Sequence, residues 1–220
     1  MKNKDKNLEL GIDSSLSYCS ITLFKNKKIL WDKVRKCDYG HEKVLSKLLE
    51  KLLQETKIRP DYVEYLHLNN GPARFTAIRN CHALMKGFFF GHKIKILSYS
   101  LFEHYYLGVK EKISKNLICV VDTNRRDLAI QKINNKGKLI GKTKTHLVDD
   151  NLLKLLNEDC VLIGNGLDKL KTLSDYKFIN KKNLGISKLQ SNFFINDFYN
   201  KKASYKFPKI NYPYSPLPKN

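Results

Sequence analysis

Leu8-Glu9-Leu10-Gly11-Ile12-Asp13-Ser14-Ser15-Leu16-Ser17-Tyr18-Cys19-Ser20-Ile21-Thr22-Leu23-Phe24 is the stretch on which the fold turns. Leu8 to Asp13 is a short extended run that ends in an acid. Ser14 to Ser17 has turn composition, and Tyr18 to Phe24 alternates polar and apolar side chains with the period of a strand. Asn26-Lys27-Lys28 makes a second turn before Ile29-Leu30-Trp31, so the chain is expected to open as a β-meander. The pattern restarts at Leu117-Ile118-Cys119-Val120-Val121-Asp122, again an apolar run closed by an acid. Asp127 to Ile133, a turn at Asn134-Asn135-Lys136-Gly137 and Lys138-Leu139-Ile140 then repeat the meander. Two halves with one β-meander each predict a duplicated α/β architecture, divided at 1–102 and 103–220.

Helices fill the space between these strands. From Glu42 to Glu55 the apolar pairs Val44/Leu45, Leu48/Leu49 and Leu52/Leu53 recur every four residues among Glu and Lys, which predicts an amphipathic helix of about four turns. Its stripe is wholly aliphatic and suits packing on other helices as well as on a sheet. Tyr62 to Leu68 reads as a strand, Phe75 to Phe90 as a broadly apolar helix opening near Thr76, Lys93 to Leu97 as a strand and Ser98 to Leu107 as a helix. Cys160 to Ile163 is a strand running into Gly164-Asn165-Gly166 and a helix from Leu167. One more helix is expected at about Ser187 to Asn200, followed by a tail with four of the six prolines.

Composition narrows the function. The 220 residues carry 41 Lys and Arg against 21 Asp and Glu, a formal charge of +20, and an apolar content of 42% is enough for a real core. Residues 1–102 hold 19 basic and 10 acidic side chains and residues 103–220 hold 22 and 11, so the excess is even along the chain. It comes mostly from Lys, which a coding bias toward A and T would produce as readily as selection for nucleic acid. Residues 176–220 depart from that evenness, with nine Lys against Asp197 and five interleaved Tyr. Lys201, Lys202, Lys206 and Lys209 are therefore the candidate RNA contacts. No apolar run reaches the length of a membrane span, and the charged start is unlike a signal core. Together with five dispersed cysteines (Cys19, Cys37, Cys81, Cys119 and Cys160) this leads us to expect a soluble, unexported, cytoplasmic protein with reduced thiols. With no Cys-x-x-Cys, a zinc ribbon is excluded.

The candidate chemistry is sparse. Asp13-Ser14-Ser15 is a strand, an acid and hydroxyls in a tight turn, an arrangement that can place amides against phosphate and a carboxylate near magnesium, and that is also ordinary turn chemistry. Gly71, Arg74 and Thr76 lie at a strand-loop-helix junction that can hold an anion or simply turn the chain. His41-Glu42 resembles the start of His-Glu-x-x-His, but Leu45 stands at the second ligand position, so no metal is expected there. There is no serine or cysteine nucleophile with a paired base and no Walker lysine motif.

The order of these pieces resembles the TsaB family, also called YeaZ. The carriers are Leu10-Gly11-Ile12-Asp13-Ser14-Ser15 with its hairpin, Gly40-His41-Glu42 entering a helix, and Gly71-Pro72-Ala73-Arg74-Phe75-Thr76-Ala77-Ile78-Arg79. In that family the last of these reads Gly-Pro-Gly-Ser-Phe-Thr-Gly-Leu-Arg, and Val121-Asp122-Thr123-Asn124-Arg125-Arg126 resembles its second-half turn. The resemblance implies a two-lobed actin-like fold of the ribonuclease H-like, ASKHA kind. It also implies a non-catalytic role in forming threonylcarbamoyladenosine beside the anticodon of tRNA. The subunit would bind a paralogous TsaD-like transferase through His41, Val44, Leu45, Leu48, Leu49, Leu52, Ile78 and Met85, with a TsaE-like ATPase docking on the pair and a homodimer forming when it is alone. No cofactor of its own is implied; ATP and magnesium belong to the complex. The alternatives are a stand-alone ATP-dependent phosphotransferase using Asp13 and the Gly164 turn, and a tRNA-binding module. Ala73 and Ala77 replace family glycines, and a positive φ at either would cost about 1 kcal/mol.

Overall fold

The computed structural model describes residues 7–107, 109, 115–149, 152, 156, 160–170 and 203–213. The first half holds β1 (Leu8–Asp13), β2 (Tyr18–Lys25), β3 (Lys28–Lys36), α1 (His41–Thr56), β4 (Val63–Asn69), α2 (Phe75–Phe88), β5 (Lys95–Tyr99) and α3 (Leu101–Leu107). The second holds β6 (Leu117–Val121), β7 (Asp127–Ile133), β8 (Leu139–Leu147), β9 (Val161–Ile163) and α4 (Leu167–Leu170). The strand orders are β3-β2-β1-β4-β5 and β8-β7-β6-β9. In each sheet an antiparallel meander is extended by a parallel strand, β4 beside β1 and β9 beside β6.

The duplication reaches single hydrogen bonds. At the end of β1 the Oδ1 of Asp13 accepts the Ser15 amide at 2.5 Å, and just after β6 the Oδ1 of Asp122 accepts the Asn124 amide at 2.7 Å. Two Asx turns at equivalent places are why each acid follows its apolar run: the carboxylate satisfies an amide that the turn would otherwise leave without a partner.

Period-two alternation puts Leu10, Ile12, Cys19, Ile21 and Leu23 on one face of the first sheet, where they form the main core with Leu45, Leu48, Leu49 and Leu52 of α1 and Cys81 and Met85 of α2. On the opposite face Phe24, Leu97 and Tyr99 cluster with Tyr65 and Leu107. Helix α1 begins after Gly40, whose φ of 71° is open to glycine at little cost, with Glu42 in the first turn, where the helix dipole favours an acid. The third helix starts at a reciprocal cap: Ser100 Oγ accepts the Glu103 amide at 3.2 Å while Glu103 Oε2 accepts the Ser100 amide at 2.7 Å. Ser98, the start expected from sequence, belongs instead to β5.

Two further expectations change. The boundary at 102/103 falls inside α3, whose Leu101, Phe102 and Tyr105 pack with Leu117, Cys119, Val121 and Ile163 of the second sheet, so this helix joins the halves. Residues 203–213, read as part of the second half, return to the first. Ser204 pairs with Ile96 through two backbone bonds, the Phe207 ring lies tilted beside His82, and the Asn211 amide donates to the Asn70 carbonyl. The helix expected at Ser187 to Asn200 lies outside the described residues. Among the described residues no helix is long and apolar enough to cross a membrane.

Candidate functional site

Asp13 sits at the carboxyl end of β1 and is 1% exposed. Its Oδ2 accepts Asn69 Nδ2 at 2.8 Å and the Tyr99 hydroxyl at 3.1 Å, while its Oδ1 holds the Ser15 amide. The Ser14 hydroxyl donates to the Ala77 carbonyl at 2.9 Å, tying the turn to the first turn of α2. Burial beside the Asp13 carboxylate drives the Tyr99 hydroxyl well above its ordinary pKa, so it stays a donor. This constellation braces the loop. Asp13, Ser14 and Ser15 are buried and do not line the cleft between the halves, and both Asp13 oxygens accept hydrogen bonds from the chain itself.

The loop after β4 is fastened in the same way. The Gly71 amide donates to Asn69 Oδ1 at 2.7 Å, and the Asn69 carbonyl is bonded by His82 Nε2 at 2.8 Å. Gly71 has a φ of 106°, and a Cβ there would run into the Asn211 carbonyl of the returning tail, so this glycine is demanded by conformation and by close approach together. Ala73 and Ala77 do not have positive φ, and their substitution for glycine carries no backbone strain. Arg74 occupies the N-cap position with no side-chain cap bond. Thr76, near which the helix was expected to open, is an exposed residue of its first turn. The Arg74 guanidinium spans to the Asp38 carbonyl at 2.6 Å and the Ser17 hydroxyl at 3.0 Å, pinning the hairpin to α2.

Between the halves lies a cleft of about 520 Å³ lined by Asp38 to Glu42, Arg74 to Ala77, Asn80, Thr123 to Arg125 and Tyr212. Of the sequence-predicted anion contacts only Arg74 and Thr76 reach it. Tyr212 closes one side, edge-on to Phe75 at 4.8 Å and accepting from Arg125 at 3.0 Å. On the second half Asp122 is clamped by Lys169 Nζ at 3.0 Å, and Asn165 bonds both the amide and the carbonyl of Asp122. Gly164 and Gly166 press on the Val120 backbone, so this Gly-x-Gly serves strand-turn packing.

The sequence-predicted partner contacts lie mostly inside the chain, and of them Leu49 reaches the outer groove of the two helices. His41, Leu45, Leu48, Leu49, Leu52, Ile78 and Met85 are all buried within the chain, because the stripe faces the first sheet and the sheet takes it up. Val44 is half-buried at the edge of that core. The apolar surface the two helices do offer is a shallow groove lined by Ser46, Leu49, Glu50, Leu53, Gln54, Lys57 and Leu84. Leu53 and Leu84 are its half-buried apolar residues. Of the predicted RNA contacts, Lys206 and Lys209 are exposed. Lys209 lines a second depression with Phe75, Arg79, Lys86 and Tyr212, and Arg79 stacks over Phe75 at 3.7 Å. Lys201 and Lys202 lie outside the described residues. Missed from sequence were the returning tail and a cluster of Cys19, Cys37 and His41. Cys37-x-x-x-His41 was the visible half of that signal.

A duplicated meander-plus-parallel-strand fold, with an acid ending the first strand of each half, defines a protein of the two-lobed actin-like class. No family model matches the chain. Among curated proteins it is 26% identical over 181 residues to the tRNA threonylcarbamoyladenosine biosynthesis protein TsaB of Buchnera aphidicola subsp. Schizaphis graminum (strain Sg), covering 79% of this chain and 85% of that one. It is 31% identical over 94 residues to the protein of the same name from Buchnera aphidicola subsp. Acyrthosiphon pisum (strain APS), covering 43% and 42%. The solved structure of YeaZ from Pseudomonas aeruginosa shares the fold, with a TM-score of 0.62 at 16% identity over 76% of this chain and 80% of that one. These relatives named TsaB and the shared YeaZ fold support placing the chain with the TsaB/YeaZ proteins.

Proposed function

We propose that this protein serves the formation of threonylcarbamoyladenosine in tRNA as a non-catalytic subunit that binds and activates a TsaD-like transferase, with a TsaE-like ATPase joining the pair. The relationship to TsaB supports the process. The non-catalytic part rests on Asp13, the one strand-end acid at the position where this class of fold handles phosphate in the first half. Its carboxylate is committed to Ser15, Asn69 and Tyr99. ATP and magnesium are then the business of the complex, and a phosphotransferase using Asp13 would first have to break three internal hydrogen bonds.

Partner binding is assigned to the outer groove of α1 and α2. The apolar residues Leu53 and Leu84, rimmed by Ser46, Glu50, Gln54 and Lys57, give a second helix pair a strip to pack on while leaving the sheet-facing leucines in place. Co-purification tests it. The tagged chain should retain a TsaD-like paralogue, Leu53→Asp with Leu84→Asp should lose it while the circular dichroism spectrum stays that of the parent, and undiminished retention by the folded double variant would overturn the assignment. A tRNA-contacting role is favoured by one local observation, the Arg79, Lys86 and Lys209 cations set around Phe75 and Tyr212. There it would act within the complex.

A further inference from the structure

Cys19 is the second residue of β2, Cys37 follows the last residue of β3, and His41 is the first residue of α1. Strand pairing brings them together. Cys19 lies opposite Arg35, and the Cys37 amide donates to the Ser17 carbonyl at 2.9 Å, carrying the ladder one step past the strand end. Cys19 and Cys37 are thus diagonal neighbours on one face of the hairpin. Cys19 shares the main core with the α1 leucines, so that face is the one α1 covers. The turn at Gly40 drops His41 beside them. The two Sγ atoms and one imidazole nitrogen all lie within 4.8 Å of one another, and all three residues are buried.

We propose that Cys19, Cys37 and His41 bind one zinc ion. The donor set is two soft sulfurs and an imidazole, which selects zinc over the hard cations magnesium and calcium. Charge points the same way: a divalent ion with two thiolates and a neutral imidazole sums to zero, so the filled site buries no net charge, whereas monovalent copper would leave one negative charge in the core. Tetrahedral zinc with bonds of about 2.0–2.3 Å needs its donors about 3.5–3.8 Å apart, a contraction of about 1.3 Å at most from the present 4.8 Å limit. The orientation of the ring is already set. His41 Nε2 donates to the Leu16 carbonyl at 2.8 Å, which leaves the lone pair on Nδ1, as a carbonyl does for many ligating histidines. Today the thiols donate to main-chain carbonyls, Cys19 to His41 at 3.8 Å and Cys37 to Tyr39 at 3.1 Å; on binding, those two protons are released as the sulfurs become thiolates. His41 lines the cleft between the halves, and a water from that side would complete the fourth position. Leu45 remains in the core, so this site is unrelated to a His-x-x-x-His pair. Its effect is to cross-link the hairpin to the start of α1.

The test uses the full chain, reduced, stripped with a chelator and handled without oxygen. Titration with cobalt(II) should develop a thiolate-to-cobalt charge-transfer band and tetrahedral d–d bands that saturate at one ion per chain and vanish when zinc is added. Cys19→Ser with Cys37→Ser should lose both sets of bands, and Cys160→Ser, at a thiol outside the cluster, should keep them. Because the double variant removes two core thiols, the wild-type titration stands by itself: absence of the charge-transfer band overturns the proposal. So does a band that survives in the double variant. A chain that shows no band and, in air, yields a disulfide-linked peptide joining Cys19 to Cys37 would mark them as a disulfide pair, also overturning it.

Discussion

Leu52 and Leu53 are adjacent in α1 and have opposite assignments, which makes them the sharpest probe of how this helix is used. Leu52 is fully buried in the core over the first sheet. Leu52→Ala removes three carbons, about 2.4 kcal/mol of transfer free energy at about 0.8 kcal/mol each. The cavity left behind raises the cost to about 3–4 kcal/mol, within the range measured for buried Leu→Ala changes. Leu53 lines the outer groove and is half-exposed, so Leu53→Ala should cost about 1 kcal/mol or less. In urea, with a slope of about 2–3 kcal/mol per molar, Leu52→Ala should lower the unfolding midpoint by about 1–2 M and Leu53→Ala by less than about 0.5 M. At concentrations where both variants are folded, Leu52→Ala should still retain the transferase partner. If Leu52→Ala unfolds like the parent but loses the partner, the stripe faces outward and the reading of α1 is wrong.

Acid should destabilise the protein before its carboxylates titrate. Burial pushes the His104 imidazole down to about 4 and lowers His67 and His82 as well, so between pH 6.5 and 4 the unfolded chain takes up protons that the folded chain refuses. Stability rises with pH across that window, and His104 alone should cost on the order of 2 kcal/mol on going from pH 7 to pH 5; urea midpoints that are flat over that interval would count against it, and His104→Phe should weaken the dependence. Gly71→Ala should expel the returning tail, since its Cβ meets the Asn211 carbonyl. The expected readout is faster hydrogen exchange at the Asn211 amide and earlier tryptic cleavage after Lys206 and Lys209, and unchanged exchange would show that the tail is held elsewhere.

The meanders and their duplication were legible because period-two alternation and an acid at each strand end are local signals, and the Asx turns at Asp13 and Asp122 are what those acids do. The α1 periodicity was equally plain, yet a period reports which residues share a face and not what covers it. The leucines that looked like a docking stripe were spoken for by Leu10, Ile12 and Ile21. The start of α3 could have been found, since Ser100-Leu101-Phe102-Glu103 carries the Ser-x-x-Glu spacing of a capping box. The Cys19, Cys37 and His41 cluster needed the register of β2 against β3, and the return of Ser204 to Ile96 is a pairing across more than a hundred residues with no pattern of its own. Asp13 shows the remaining gap: its place in the chain advertised phosphate chemistry, and only its three hydrogen bonds reveal a brace.

The central claim, an activating subunit without catalysis of its own, is tested most directly by reconstitution. A TsaD-like transferase and a TsaE-like ATPase are incubated with unmodified tRNA, ATP, magnesium, threonine, bicarbonate as the source of the carbamoyl carbon, and the enzyme that activates them, with and without this protein, and threonylcarbamoyladenosine is measured by mass spectrometry of the digested tRNA. Modification should require this protein, be absent when it replaces the transferase, and persist with Asp13→Asn wherever that variant is folded. Full modification without it, or modification by it in the absence of the transferase, would contradict the account.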